Sequence, residues 1–393
     1  MVGTSLTVAV GPVAHGGHCV ARHEGRVVFV RHTLPGETVR AVVTDGAEGS
    51  SFWRADAVEV LAPSPDRVPP PCPWSGPGRC GGCDWQHVSV SAQRALKAEV
   101  VREQLSHLAH LDVAVDVEPV PGDVDGLGWR TRVTWAVAED GSAGLRRHRS
   151  HEVVPVDSCR IAHPLVDEAG VTRRTWPGAG SVEVSASVAT GDRLVLPDGR
   201  GDGVLTEVVG DRAFRVTGGG FWQVHPGAAG TLLAAVTDGL RPQPGDTALD
   251  LYGGVGLFAA QLAEVVGPTG RVTLVESDRV AVADARHNLA EFPAVRVERG
   301  RVDHVLRRLR TGRADLVVLD PPRSGAGRAV VDLVARQVRP RRVAYVACDP
   351  AALARDLTWF AERGYRLTAL RAFDIFPMTH HVECVAVLEP ATT

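Results

Sequence analysis

A thiol at the end of a strand is the first feature of this sequence that could do covalent chemistry. Val343 to Val346 is apolar and runs into Ala347-Cys348-Asp349-Pro350, which reads as a strand leading into a helix start. Two other apolar runs end alike, Thr247 to Leu251 in Tyr252-Gly253-Gly254-Val255-Gly256 and Leu316 to Leu319 in Asp320-Pro321-Pro322-Arg323. Ligands of parallel sheets sit beyond the carboxyl ends of strands, so three strand ends converge on one site. There a thiolate would be a nucleophile, provided a helix N-terminus or a cation lowers a pKa near ~8.5. The glycines let backbone approach a ligand, and the helix start favours an anionic group. Glu276 ends the next strand, where ribose hydroxyls are gripped. The prolines stiffen their turn and hold Asp320 at the sheet edge. His380-His381-Val382-Glu383 offers three candidates for a general base, and residue type does not choose among them. Cys72, Cys80 and Cys83 share a glycine-flexed loop, with Cys159 as a fourth thiol. Four thiolates suit structural zinc or an iron–sulfur cluster, and spacing does not separate the two. Cys19 and Cys384 read as packing residues.

These residues need elements to place them. A chain of 393 residues calls for two or three domains. No apolar run approaches the ~20 residues of a membrane span. The N-terminus lacks a signal-peptide pattern, so a cytoplasmic, reducing setting is expected, where cysteines serve metals or catalysis. Residues 5 to 61 alternate apolar and polar in short runs cut by glycine and proline, which predicts an OB-type β-barrel over 1–62. A proline-rich connector follows. Between Ser91 and Leu108 the apolar residues recur at three- and four-residue steps, predicting a helix. Residues 63–217 read as a central α+β domain carrying the cysteine cluster. Over 218–393 strands and helices alternate, predicting an α/β, doubly wound domain with an antiparallel C-terminal edge. The net charge of −3 leaves nucleic-acid binding to local clusters. Candidates are Arg130 with Arg132, Arg146-Arg147-His148-Arg149, Arg307-Arg308 with Arg310, and Arg339 with Arg341-Arg342.

The glycine turn followed by Glu276 resembles the S-adenosylmethionine site of class I methyltransferases. Cys-Gly-Gly-Cys-Asp-Trp-Gln-His from Cys80, Phe221-Trp222-Gln223-Val224, Asp320-Pro321-Pro322-Arg323 and the Cys348 segment together resemble the bacterial RNA 5-methyluridine methyltransferases across nearly the whole chain. The resemblance implies a TRAM barrel, a central domain with a 4Fe-4S cluster on Cys72, Cys80, Cys83 and Cys159, and a class I methyltransferase domain. It also implies that Gln223, Tyr252, Glu276 and Asp320 contact S-adenosylmethionine or uracil, that Cys348 is the nucleophile, and that Glu383 is the base. A thiolate adding at uracil C6 would make C5 an enolate able to accept methyl. The expected substrate is uridine C5 in ribosomal or transfer RNA, and the expected form a monomer. Competing readings are methylation of cytosine C5 or an exocyclic amine, and an RNA-binding protein whose catalysis has lapsed. Departures from the family pattern are a longer first cysteine gap, Asp349 after the thiol, His225 and Leu257. A carboxylate at 349 would oppose ionisation of its neighbour.

Overall fold

Strict alternation of apolar and polar residues in Ser5–Val13 puts Leu6, Val8 and Val10 on one face, as a period of two requires. In the computed structural model, which describes residues 1–309 and 313–391, that strand starts a closed barrel with Cys19–His23, Arg26–Arg31, Thr38–Asp45 and Phe52–Ala62. The first strand pairs with both the second and the fourth, and the third runs parallel to the fifth. Cys19–His23 was not foreseeable from its five residues, whose polar end hides the pattern.

Helix Val90–Ala109 is capped by Ser89, whose side chain accepts the Ala92 N–H. Ala92, Leu96 and Val100 pack into the barrel core, while Ala98, Val101 and Leu105 pack into the core of the large sheet. Two apolar faces on one helix make it a bridge between units. Lys97, the chain's only lysine, is fully buried and bonds Asp374 Oδ1 at 2.5 Å and the Phe376 carbonyl at 3.0 Å. Strand Val117–Glu118 then joins the edge of the large sheet, beside Tyr365–Phe373. A separate antiparallel sheet runs in the order Arg193–Pro197, Ser181–Ala186, Arg132–Val137, Ala143–Arg146, Val153–Pro155. The hairpin Val204–Val209 and Arg212–Thr217 places Phe214 and Val216 in the core under helix Ala228–Leu240. The units therefore interleave in space.

The large sheet has the order Val295–Arg299, Arg271–Glu276, Thr247–Leu251, Leu316–Leu319, Arg342–Ala347, Glu383–Pro390, Tyr365–Phe373, Val117–Glu118. Its first five strands are parallel. All four residues of Leu316–Leu319 are buried, because helices cover both faces of a parallel sheet. The chain starts at Thr247–Leu251, winds one way to Val295–Arg299, and returns to Leu316–Leu319 on the other side. The crevice of this reversal opens above Tyr252 and Asp320.

Strand Val295–Arg299 and helix Val302–Arg308 were not expected from the sequence, since Arg296, Glu298 and Arg299 mask an edge strand and seven residues are few for a helix. The helix expected over 328–337 is α only to Leu333 and widens to a π turn over Val334–Val338. Several arginines of the basic runs are paired: Arg147 with Glu152, Arg307 with Asp303, Arg341 with Asp246 and Arg342 with Glu389. Arg310 lies outside the described residues. No described helix is long and apolar enough to cross a membrane.

Candidate active site

The glycine turn is built by close packing. Tyr252 takes φ +65°, a left-handed conformation strained for a residue with a side chain. A Cβ on Gly253 would stand 2.5 Å from Leu274 Cγ, so only glycine lets the turn lie on the neighbouring strand. Glu276 is oriented by backbone: Oε2 accepts the Gly254 N–H at 3.1 Å, and Oε1 accepts those of Ser277 and Asp278 at 2.6 and 2.7 Å. Oε2 keeps a lone pair for a ligand. Tyr252, Glu276, Arg301, Asp303 and the start of helix Arg328–Leu333 line a cavity of about 290 Å³. Asp303 was missed because the strand before it was missed; an acid soon after a third strand end was the signal available. Gln223 is half-buried in the turn before helix Ala228–Leu240 and is not among the residues lining this cavity. A larger depression of about 760 Å³, beside the Val204–Thr217 hairpin, holds none of the candidate residues.

The thiol comes from the other side of the reversal. The ladder between Arg342–Ala347 and Glu383–Pro390 ends on the pair Ala347 and Cys384. Cys348 and Glu383 are the residues next to that last pair, and the Glu383 charge acts on the thiol. Cys348 is half-buried and Glu383 is buried. Burial, and then the Glu383 charge, push the thiol up to about 12, with Arg323 acting against them. Burial, and then Asp320, raise Glu383 well above the carboxylate range, again opposed by Arg323. Burial brings Asp320 to about 7. Three distant stretches thus meet as one electrostatic unit, with Arg323 as its cation.

The three base candidates separate here. His380 donates from Nδ1 to Asp84 Oδ2 at 2.6 Å. His381 Nε2 accepts from Arg323 Nη2 at 3.3 Å, and burial, His380 and Arg323 push its pKa down to about 3. A histidine so acidic is a poor proton acceptor, whereas a raised carboxyl is a better one once ionised. Asp349 turns from the thiol to cap its helix, accepting the Ala352 N–H at 2.8 Å, and pairs with His15 Nε2 of the barrel at 3.2 Å. Its influence on Cys348 is smaller than those of burial, Glu383, Arg323 and Asp320.

Cys72, Cys80, Cys83 and Cys159 line one enclosed pocket of about 120 Å³. Gly82 N–H points at Cys80 Sγ at 3.4 Å and Gln86 Nε2 at Cys83 Sγ at 3.3 Å. Among the described residues, no group of three or more His, Cys, Asp or Glu is arranged to hold a single metal ion. The segment then locks onto the loop carrying the histidines. Asp84 and Trp85 N–H both donate to the Met378 carbonyl at 3.0 Å, and Gln93 Oε1 accepts the Met378 N–H at 2.7 Å.

Comparisons with known proteins bear on the family and the fold. The tRNA (uracil-5-)-methyltransferase family matches residues 189–391, and the TRAM domain matches residues 1–55. An uncharacterized RNA methyltransferase of Streptomyces coelicolor is 54% identical over 100% of this chain and 94% of its own length. The 23S rRNA (uracil(1939)-C(5))-methyltransferase RlmD of Shewanella amazonensis is 32% identical, covering 98% of this chain and 95% of its own. The crystal structure of Pyrococcus abyssi tRNA (uracil-54, C5)-methyltransferase with S-adenosyl-L-homocysteine has a TM-score of 0.73 at 21% identity, over 97% of this chain and 99% of that one, and so shares the fold. With a TRAM barrel, a class I methyltransferase sheet and relatives matching from end to end, the chain belongs to the RNA uracil-5-methyltransferase family, S-adenosylmethionine-dependent enzymes that act on uracil C5.

Proposed function

We propose that this protein methylates C5 of a uridine in ribosomal or transfer RNA through a covalent adduct between Cys348 and uracil C6. The observation that supports the reading is the end of the ladder at Ala347 and Cys384, beside which Cys348 and Glu383 lie close enough, with Asp320 and Arg323, for each to feel the others' charge. S-adenosylmethionine supplies an electrophilic methyl group and a positive charge. Tyr252, Glu276 and Asp303, which line the 290 Å³ cavity, would hold its nucleoside end, and Asp320 and Gln223 would contact the cofactor or the uracil. The thiol gives up its proton to solvent, and the thiolate adds to C6, moving the ring electrons to C5. C5 takes the methyl group as the sulfonium S–CH3 bond breaks and leaves S-adenosylhomocysteine, the Glu383 carboxylate removes the C5 proton, and re-formation of the C5–C6 double bond expels the thiolate. Nearby positive charge favours the thiolate, so Arg323 and the sulfonium oppose the burial that holds Cys348 up.

Replacing Cys348 with alanine should abolish methylation, by on the order of 10³-fold or more, while S-adenosylmethionine binding persists. RNA containing 5-fluorouridine should trap a protein–RNA adduct, because fluorine cannot leave as a proton does. Undiminished C5 methylation by Cys348→Ala would falsify the mechanism. Nucleoside mass spectrometry separates it from methylation of cytosine C5 or an exocyclic amine, and a lapsed enzyme would bind RNA with no methyl transfer from labelled cofactor.

Cys72, Cys80, Cys83 and Cys159 would hold a 4Fe-4S cluster. A single water needs only about 10–15 Å³ of such space, so a pocket of about 120 Å³ has room for several atoms. Four thiols suit zinc as well as a cluster; the cluster is what the family resemblance implies, and the donors to Cys80 and Cys83 are of the kind that tune cluster sulfurs. Its part here is to fix the segment that grips Met378 and His380. Protein purified without oxygen should be brown; a colourless product with stoichiometric zinc would overturn the assignment. With ribosomal or transfer RNA as its substrate the protein would work in the cytoplasm, and we propose that it acts as a monomer.

A further inference from the structure

Arg323, the cation of the uracil end, is exposed and stands on a stem of several rotatable bonds. Among the described residues its guanidinium is paired with no carboxylate; its hydrogen bond runs from Nη2 to His381 Nε2 at 3.3 Å. An arginine only donates, so Nε2 receives with its lone pair and the imidazole is neutral. A guanidinium left free on such a stem is solvated and its charge screened. Held by a fixed acceptor, it acts on its neighbours from one place.

The acceptor is fixed from two sides. Phe376 meets the His381 ring edge to face at 6.0 Å, and the His380 ring lies against it at 4.1 Å, centre to centre. The His381 N–H donates to Thr379 Oγ1 at 3.3 Å, and the same hydroxyl donates to the Phe376 carbonyl at 2.8 Å. His380 in turn is tied down by one carboxylate oxygen: Asp84 Oδ2 accepts from Nδ1 at 2.6 Å and from the His380 N–H at 3.3 Å. Arg31 of the barrel stands 3.7 Å from the other oxygen of Asp84. Gly17, also of the barrel, is pressed so close that a Cβ on it would stand 2.7 Å from His380 Cβ. The cysteine segment, the barrel and the histidine loop thus brace a single ring nitrogen, and Arg323 is the donor it meets.

We propose that His381 is a positioning residue whose neutral ring anchors the Arg323 guanidinium at the uracil end, with the Asp84–His380 pair setting the angle of that ring. The proposal rests on the reading of Cys348 as the nucleophile. Arg323 favours the ionised forms of both Cys348 and Glu383, so without its anchor both groups should be harder to ionise. His381 then serves the reaction without touching a substrate atom.

Alkylation of Cys348 by iodoacetamide, without RNA and at fixed pH, reads the thiolate when followed by peptide mass spectrometry. His381→Leu, which keeps an apolar contact with Phe376, should slow it about threefold, as a rise of about half a pKa unit does. Arg323→Gln should slow it at least as much. His381→Gln should react at close to the native rate, because its amide oxygen reaches about as far as Nε2 and can accept from Arg323. In an Arg323→Gln background His381→Leu should add nothing, the mark of two residues acting as one unit. In methyl transfer His381→Leu should lower kcat and leave the KM for S-adenosylmethionine unchanged, since the cofactor is held at the other end. A native alkylation rate in His381→Leu, equal slowing in His381→Gln, or the same slowing with and without Arg323 overturns the proposal. The alkylation pattern is read without RNA, so it supports the positioning role even where Cys348→Ala retains methylation and the covalent reading fails.

Discussion

The two ends of the active-site crevice are made differently. At the cofactor end, Tyr252, Glu276 and Asp303 come from consecutive strand ends, and Glu276 is held by amides of its own and the adjacent turn. At the uracil end, Asp320, Arg323, Cys348, His381 and Glu383 come from separate stretches, and their carboxyls are raised by burial. The first end is assembled by local backbone geometry and needs little beyond its own sheet. The second depends on register between antiparallel strands and on a loop clamped by the barrel, the helix Val90–Ala109 and the cysteine segment. Damage should therefore spread differently: locally at the cofactor end, and through remote partners at the uracil end.

The largest effect that would sharpen this contrast is at Glu383. Glu383→Gln keeps the shape and removes the base, so turnover should fall about 10²–10⁴-fold. Cofactor affinity, set at the other end, should hold. Methylated RNA should remain attached to Cys348 and survive denaturing electrophoresis, because the C5 proton has no acceptor. A variant that turns over freely and leaves no adduct would assign the base elsewhere.

Next comes Lys97, which tests the remote support. Its ammonium is buried against Asp374 and the Phe376 carbonyl, just before the histidine loop. Burial lowers its pKa while Asp374 raises it. Lys97→Ala strands a buried carboxylate and should cost about 3–5 kcal/mol of stability, read by denaturant unfolding. Lys97→Met with Asp374→Leu should recover much of that loss. If the single variant is as stable as the native protein, the bridge helix does not clamp the uracil end as described.

This contrast also explains what could be read from the sequence. Strands Thr247–Leu251, Arg271–Glu276 and Arg342–Ala347 fall where the sequence pattern put them, because parallel strands buried on both faces are unbroken apolar runs. Cys348 and Asp320 were legible as residues just past such runs. The Asp84–His380 and His15–Asp349 contacts were not, since each joins residues hundreds of positions apart that look like ordinary loop polar groups. The choice among His380, His381 and Glu383 was open for the same reason: only their partners distinguish them. Val295–Arg299 escaped because its outward residues are charged.

A smaller effect is the pH dependence. Below about 12 the Cys348 thiol is mostly protonated, so its thiolate fraction rises about tenfold per pH unit; Glu383, also raised, gains its active ionised form in the same direction. In the free enzyme kcat/KM should climb with a slope near one or steeper from about pH 6 to 9. A flat profile would mean that the thiol is already ionised in the resting site.

The smallest effect concerns Asp349. Read in sequence, its carboxylate opposes ionisation of the neighbouring thiol; in the fold, one oxygen caps the helix and the other meets His15. Asparagine caps about as well as aspartate, so Asp349→Asn should leave the helix intact, change stability by no more than about 0.5 kcal/mol and remove a negative charge near Cys348. Activity at fixed pH should rise modestly, about two- to threefold, since a few tenths of a pKa unit suffice. His15→Gln breaks the same pair and keeps the charge beside the thiol, so it should not reproduce the gain. A large loss in Asp349→Asn with His15→Gln unaffected would show the carboxylate acting directly at the uracil end, and Asp349 would then belong with Glu383 and Asp320.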